Sequence, residues 1–104
     1  MMKTERTSRF KREFKKLQKK HYPTDLLKQA ILAILTKDAQ ILARLHDHGL
    51  HGQWQGYREL HPARIATSQI RGDLDGWILI YKISSDCLVL VLVATGDHQS
   101  LKVK

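Results

Sequence analysis

The stretch WILIYKISSDCLVLVLVAT, residues 77–95, decides the fold because it holds two strand-forming segments in direct succession. Residues 77–84 and 87–95 are both rich in β-branched and aromatic side chains, which strands favour. Ser85-Asp86 is a link short enough for a hairpin. The near-continuous apolar character of residues 87–95 predicts a strand that is covered on both faces or lies in the middle of a sheet, with helices on one side.

Two amphipathic segments precede these strands. In the first, apolar residues recur every three or four positions from Phe10 to Leu17, which predicts a helix that Ser8 can cap. Tyr22-Pro23 ends this helix, and the second helix is expected to start at Thr24 or Asp25 and to end near Lys37. A short first strand within residues 1–7, a short helical piece through residues 41–45 and a strand over residues 55–61 complete the elements. Residues 62–76 are expected to form a long loop or an extended hairpin tip.

These elements predict an α+β fold in which an N-terminal helical hairpin packs on a mostly antiparallel, twisted sheet. With 104 residues and 42% hydrophobic residues, the chain is expected to be a single folded domain over residues 1–104. Cys87 is the only cysteine in the sequence, so an internal disulfide cannot form. Because Cys87 begins an apolar run, we expect it to be buried as a small hydrophobic residue.

Charge is distributed unevenly. The formal net charge is +8, and half of the 18 Lys and Arg residues lie between Lys3 and Lys20. Such a field favours a polyanionic partner, which is a nucleic acid, an anionic membrane or an acidic protein. The basic side chains of the first helix are therefore candidate RNA contacts: Lys11, Arg12, Lys15, Lys16 and Lys19. The chain shows no apolar span of membrane length and no signal peptide, which predicts a cytoplasmic location.

Three further motifs follow one another along the second half of the chain. They are DHGLHGQWQGYRELH at residues 47–61, WILIYK at residues 77–82 and TGDH at residues 95–98. Together they resemble the YafQ branch of the RelE family of bacterial toxins. The resemblance implies a toxin of a type II toxin-antitoxin pair that cuts messenger RNA in the ribosomal A site.

The resemblance also implies the active-site residues. The family's histidines fall on His48, His61 and His98 of this sequence. The acidic member of the site falls on Asp75 or Asp73, with Asp75 as the first choice. This sequence departs from the family in two respects, namely about fourteen residues between His61 and that aspartate, and Ser100-Leu101-Lys102 where the family has a terminal aromatic residue.

Metal-independent RNA cleavage needs a base for the 2′-hydroxyl proton, an acid for the leaving 5′-oxygen and cations for the phosphate. Histidine suits the first two roles because its pKa of about 6.5 lies close to the working pH. We assign His98 as the general acid, His48 or Asp75 as the base, and His61 as the group that orients or stabilises the phosphate. No metal or other cofactor is expected, because His46, His48 and His51 have only Asp47 nearby as a fourth ligand.

Two side chains near the predicted site have more ambiguous roles. Arg58 precedes His61 by three positions and so points to the opposite face of a regular strand, which favours a structural role or an RNA contact beyond the cut. Trp54 and Trp77 can stack on bases, although both lie in or beside apolar strands, where core packing is the commoner role. Of the two, we take Trp77 as the candidate RNA contact.

Two other functions remain open at this point. ParE-type toxins share the fold and bind DNA gyrase, which would not require the three histidines together. The second open function is that of a catalytically inactive relative that binds RNA or protein. The family further implies a cognate antitoxin of the DinJ/RelB kind, in a heterotetramer of two toxins and two antitoxins.

Overall fold

The computed structural model describes residues 2–66, 72 and 74–103. Within them the strands are Lys3–Arg6 (β1), His48–Gly49 (β2), Arg58–Leu60 (β3), Trp77–Ile83 (β4) and Val89–Asp97 (β5). The α-helices are Ser8–Lys19 (α1), Thr24–Leu35 (α2), Ala39–Arg44 (α3) and His98–Leu101 (α4), and short 3-10 helices span Gly52–Trp54 and Pro62–Ile65. The α+β class and the N-terminal helical hairpin are confirmed.

The strands of the described residues form one sheet in the order β1-β5-β4-β3-β2. β1 lies parallel to β5, and the other neighbouring pairs are antiparallel. The apolar strand β5 therefore lies inside the sheet between β1 and β4, as its composition predicts. The predicted first strand is also confirmed, because Lys3 to Arg6 pair with Val89 to Leu92.

The first helix is capped one residue earlier than the sequence suggested. Thr7, not Ser8, is the N-cap, and its Oγ1 accepts a hydrogen bond from the backbone N–H of Phe10 at 3.0 Å. The same hydroxyl donates to the carbonyl of Val93 at 2.7 Å. Thr7 is preferred because its hydroxyl both caps α1 and ties the start of the helix to β5, which Ser8 inside the first turn does not do.

Each face of the sheet has its own apolar cluster. The face under α1 and α2 buries Phe10, Leu27, Leu79 and Tyr81 among others. The opposite face buries Ile78, Ile80, Ala94, Leu101 and Val103. On that second face, the loop after β2 and the C-terminal segment supply the cover that helices supply on the first. The candidate site described below lies beside this second cluster.

The turn between β4 and β5 corrects the prediction for Cys87. Its backbone N–H donates to the carbonyl of Ser84 at 2.8 Å, and its φ of 60° lies in the left-handed region. Cys87 therefore belongs to the hairpin turn, with strand β5 starting at Val89. Its side chain is exposed and not buried as predicted, since the apolar run contributes to the sheet only after the turn is complete.

The segment after β3 is partly a helix. Pro62–Ile65 forms a 3-10 helix, and Pro62 and Ala63 are buried in it. Residues 67–71 and the alternative site residue Asp73 lie outside the described residues, as does that part of the predicted long loop. In the described ranges, no helix has the length and apolar character needed to cross a membrane.

Candidate active site

Three histidine side chains surround the carboxylate of Glu59. Nε2 of His98 donates to Oε1 of Glu59 at 2.8 Å. The second oxygen, Oε2, lies 3.3 Å from Nε2 of His48 and 3.7 Å from Nε2 of His61. The sequence predicted these three histidines as site residues, and the structure brings them together around a carboxylate that the sequence analysis did not single out.

Strand register explains why these side chains meet. Glu59 pairs with His48 across β2 and β3 and with Ile80 across β3 and β4. Directly paired residues point to the same face of a sheet, so His48, Glu59 and Ile80 share a row. His61 lies two positions after Glu59 and therefore points to the same face, which is the face away from α1 and α2.

The His48 ring is held by the backbone before it. Its Nδ1 lies 2.7 Å from the carbonyl oxygen of His46. A carbonyl only accepts, so Nδ1 carries the proton, and in the neutral ring Nε2 carries a lone pair. Nε2 lies beside the Glu59 carboxylate, 3.3 Å from Oε2.

A second network on the opposite face anchors the loop that carries His48. Oδ2 of Asp47 accepts hydrogen bonds from Nη2 and Nε of Arg58 at 2.9 and 3.3 Å, and Oδ1 accepts one from the Tyr81 hydroxyl. Burial, followed by the Asp47 hydrogen bond, raises the pKa of Tyr81 well above its usual range. The Asp47 hydrogen bond likewise raises the pKa of Arg58. Arg58 thus lies opposite the histidine cluster, as predicted, and stabilises the β2–β3 hairpin.

His61 is the buried member of the cluster. Its Nδ1 donates to the backbone carbonyl of Asp75 at 3.1 Å. Desolvation by burial lowers its pKa, and the nearby Arg64 guanidinium acts in the same direction. Burial therefore disfavours the charged form of His61, whose Nε2 lies 3.7 Å from Oε2 of Glu59.

Asp75 contacts the cluster through its main chain. Its carboxylate forms a two-point ion pair with Arg64, with Nε–Oδ1 at 3.0 Å and Nη2–Oδ2 at 3.3 Å. The described contact between Asp75 and the histidines is the one from His61 to the Asp75 carbonyl. The structure therefore pairs this predicted site residue with Arg64, and it is Glu59 that contacts all three histidines.

His98 is positioned by a capped turn at the end of β5. Asp97 is the N-cap of α4, and its Oδ1 accepts from the backbone N–H of Ser100 at 2.7 Å. This hydrogen bond lowers the pKa of Asp97. His98, the first residue of α4, is thereby directed to Glu59, while 47% of its side chain stays exposed.

Sequence reasoning missed two residues of this cluster. Glu59 is only 3% exposed in its side chain and lies at the centre. The strand alternation that separates Arg58 from His61 puts Glu59 on the face of His61, and that was the available signal. His46, which the sequence analysis weighed only as a metal ligand, has its ring centroid 4.7 Å from that of His48 and 6.0 Å from that of His61. His51, by contrast, lines a neighbouring cavity.

Trp77 is not an RNA contact, which corrects the prediction. It is buried, and its Nε1 donates to Oγ1 of Thr95 at 2.9 Å. Its ring packs edge-on against Tyr22 with centroids 5.3 Å apart. Because β4 turns this side chain toward the helices, the indole has no exposed face for a base.

The basic side chains of α1 are accessible. Those predicted to contact RNA, namely Lys11, Arg12, Lys15, Lys16 and Lys19, are all exposed. The buried stripe of the helix holds Phe10 and Leu17. Among the described residues, no group of three or more His, Cys, Asp or Glu side chains is arranged to hold a metal ion.

Comparison with known proteins finds a family and a relative that agree with each other. Residues 2–103 match the family described as "Bacterial toxin of type II toxin-antitoxin system, YafQ". The mRNA interferase toxin YafQ of Escherichia coli strain K12 is 30% identical over 97 residues, which cover 93% of this chain and 91% of that protein.

Two solved structures share the fold. The toxin in the E. coli DinJ–YafQ complex superposes with a TM-score of 0.74 at 28% identity, over 97% of this chain and 98% of that one. A metal-bound toxin from Helicobacter pylori gives a TM-score of 0.77 at 27% identity, over 97% and 99% of the two chains.

The fold and the matched family define a bacterial toxin of a type II toxin-antitoxin system. Within this class the chain belongs to the YafQ family.

Proposed function

We propose that this chain is a messenger-RNA endoribonuclease that acts on translating ribosomes, and that the cluster around Glu59 is its active site. The observation that carries the proposal is the convergence of His48, His61 and His98 on one buried carboxylate. E. coli YafQ, which is named an mRNA interferase toxin, supports the same reaction class.

Of the three histidines that surround Glu59, His48 and His98 are the two that RNA can reach. Their side chains are 36% and 47% exposed, whereas that of His61 is 8% exposed. Cleavage by 2′-hydroxyl attack needs a base and an acid on either side of the phosphate, and both need a pKa near the working pH. We therefore assign His48 as the base and His98 as the acid.

The reaction then proceeds without a metal ion. Nε2 of His48 takes the proton of the 2′-hydroxyl, and the oxygen attacks the adjacent phosphorus. The bond from phosphorus to the 5′-oxygen breaks as the positively charged His98 ring delivers its Nδ1 proton to that oxygen, while Nε2 keeps its hydrogen bond to Glu59. The products are a 2′,3′-cyclic phosphate and a free 5′-hydroxyl, and the two histidines finish in exchanged protonation states.

Glu59 stabilises the positive charge that moves between these histidines. Its buried carboxylate accepts from His98 before the reaction and lies next to His48, which becomes positive during it. Fixed charges in a partly dry site act more strongly than in water and need no reorganisation. His61, anchored to the Asp75 carbonyl through Nδ1, lies beside Glu59 with its Nε2 3.7 Å from Oε2.

A gyrase-binding activity of the ParE type is the weaker alternative. It gives no reason for a buried glutamate that contacts three histidines, and the chain matches the YafQ family along residues 2–103. The other alternative is a catalytically inactive relative that acts by binding. Replacing the cluster residues tests it directly, because a protein that only binds keeps its effect after these substitutions.

The test compares His98→Gln and Glu59→Gln with the wild type in cells that carry an inducible gene and a reporter messenger. We expect growth arrest and new 5′ ends in the reporter with the wild type, and at least about 100-fold slower cleavage with His98→Gln. His21→Asn is the matched control, since His21 has a φ of 60°, which asparagine adopts readily. Undiminished cleavage with both cluster variants would reject the site.

A partner protein is the second part of the proposal. E. coli YafQ was crystallised with the antitoxin DinJ, and we infer a cognate antitoxin of the DinJ/RelB kind for this chain. The net charge of +8 suits an acidic segment, and we propose a heterotetramer of two toxins and two antitoxins in the cytoplasm. Light scattering of the co-expressed pair would contradict this stoichiometry by showing a stable 1:1 complex.

A further inference from the structure

A cavity of about 500 Å³ adjoins the histidine cluster. Its walls are the loop from His48 to Trp54 and the C-terminal residues Lys102 and Val103. Pockets that enclose small organic ligands start at about 300 Å³. Because His48 belongs to both the cavity and the cluster, whatever fills the cavity lies next to the reacting phosphate.

The lining of the cavity combines apolar and polar side chains. Leu50 and Trp54 pack against the second apolar cluster, to which Val103 belongs. His51, Gln53 and Lys102 add an imidazole, an amide and an ammonium group at the cavity. An aromatic surface with a few hydrogen-bonding groups around it is the arrangement that holds an unstacked base.

The Trp54 ring is held in position by its neighbours. Tyr57 packs edge-on against it, with centroids 5.4 Å apart and planes at 83°. The guanidinium carbon of Arg9 lies 5.8 Å from the ring centroid, and Arg9 is itself fixed by Glu13 at 3.2 Å. A ring that is already ordered loses little freedom on binding, which favours stacking.

We propose that this cavity binds the base of one messenger nucleotide adjoining the cut, with Trp54 as the stacking surface and Gln53 and Lys102 as hydrogen-bonding groups. The proposal rests on the proposed function for the position of the phosphate, and adds a subsite for the base. It assigns substrate contact to Trp54, a residue for which the sequence favoured core packing.

The experiment measures binding of single-stranded RNA hexamers to the His98→Gln protein, which leaves the RNA intact. A set of hexamers with one abasic residue at each position is compared by fluorescence anisotropy. Stacking of a base contributes enough that its removal weakens binding about 10-fold. We expect this loss at one position only.

Variants assign that loss to the cavity. Adding Trp54→Leu is expected to abolish the position-specific effect, and Trp54→Phe to restore most of it. Lys102→Asn is a second variant, which removes the ammonium group from the cavity. Asparagine is chosen because Lys102 has a φ of 58°, which asparagine tolerates. Intrinsic fluorescence gives an independent signal, since Trp77 is buried and only Trp54 is open to quenching by a base.

The outcomes separate this proposal from the proposed function. A uniform abasic profile, or an unchanged profile in Trp54→Leu, overturns the base subsite even if His98→Gln abolishes cleavage. A position-specific profile that Trp54→Leu removes supports the subsite, even if Glu59→Gln cleaves as fast as the wild type and the proposed role of Glu59 falls.

Discussion

The carbonyl oxygen of His46 lies 2.7 Å from Nδ1 of His48, and this contact decides which nitrogen of the His48 ring faces the cluster. The carbonyl belongs to the backbone of a residue with a φ of 55°. The conformation of the loop therefore sets the tautomer, and the sheet register sets where the free nitrogen points.

His48→Asn and His48→Gln separate these two functions of the ring. The asparagine amide can keep the hydrogen bond to the His46 carbonyl, whereas glutamine places its amide near the position of Nε2. Neither amide can accept the proton of the 2′-hydroxyl, so we expect cleavage to fall about 100-fold or more in each variant. Urea unfolding should show His48→Gln less stable than His48→Asn by about 1 kcal/mol. Equal stabilities would contradict the role of the His46 contact.

Tyr81 is expected to keep its proton at alkaline pH. Burial and Asp47 raise its pKa well above the usual value of about 10. Spectrophotometric titration of the folded protein to about pH 11 should therefore give the same tyrosinate signal for wild type and Tyr81→Phe. A smaller signal in the variant would show that Tyr81 ionises with the other tyrosines.

The sign of the associated stability change follows from that shift. The folded state holds the Tyr81 proton more tightly than the unfolded state, so this contribution is complete below the unfolded pKa of about 10 and declines as pH rises above it. Tyr81→Phe should therefore lose less stability than the wild type between about pH 9 and 11.

His61 gives the opposite dependence at acid pH. Its folded-state pKa is lowered by burial, so the unfolded chain binds the proton more readily. The contribution is complete above the unfolded pKa of about 6.5 and is lost as pH falls through the lowered value. Urea titrations at about pH 7.5 and 5.5 should show a smaller loss of stability for His61→Gln than for the wild type. Equal losses would argue against a depressed pKa.

Trp77→Phe tests the correction to the predicted RNA surface. The variant loses the hydrogen bond to Thr95, and the buried hydroxyl keeps only its bond to the Ile78 carbonyl. We expect a loss of about 1–3 kcal/mol in the free energy of unfolding. Cleavage per folded molecule should remain close to wild type at a temperature where both are folded. A selective loss of RNA binding would restore Trp77 to the RNA surface.

The exposed lysines of α1 are expected to bind ribosomal phosphates. The double variant Lys15→Ala, Lys16→Ala should bind the ribosome more weakly. In a plot of the logarithm of the binding constant against the logarithm of the salt concentration, its slope should be smaller by about one unit for each lysine lost. Lys28→Ala on α2 is the matched control, because Lys28 is also exposed but lies outside the basic face. An unchanged slope in the double variant would place the ribosome contact elsewhere.

Periodicity predicted those parts of the fold in which one segment determines its own structure. Strands β4 and β5 and helices α1 and α2 follow from local patterns of apolar residues, and the structure has all four. The prediction that Cys87 is buried was wrong because the hairpin turn, which depends on the pairing of two strands, keeps Cys87 and Leu88 out of β5.

The sequence predicted which residue types form the site, but not all of the contacts between them. The three histidines were found through their motifs, but Glu59 became visible once register placed it opposite His48. Asp75 was chosen for its chemistry and its place in the motif, and its pairing with Arg64 depends on the 3-10 helix that follows β3. Contacts of this kind arise from packing between distant segments, which no local pattern contains.

The parallel pairing of β1 with β5 has a consequence during synthesis of the chain. Lys3 to Arg6 leave the ribosome before their partners Val89 to Leu92, which are made more than eighty residues later. His98 follows β5 directly, so the cluster around Glu59 closes only after β5 has emerged from the ribosome. A site assembled in this order is incomplete for as long as β5 has not been synthesised.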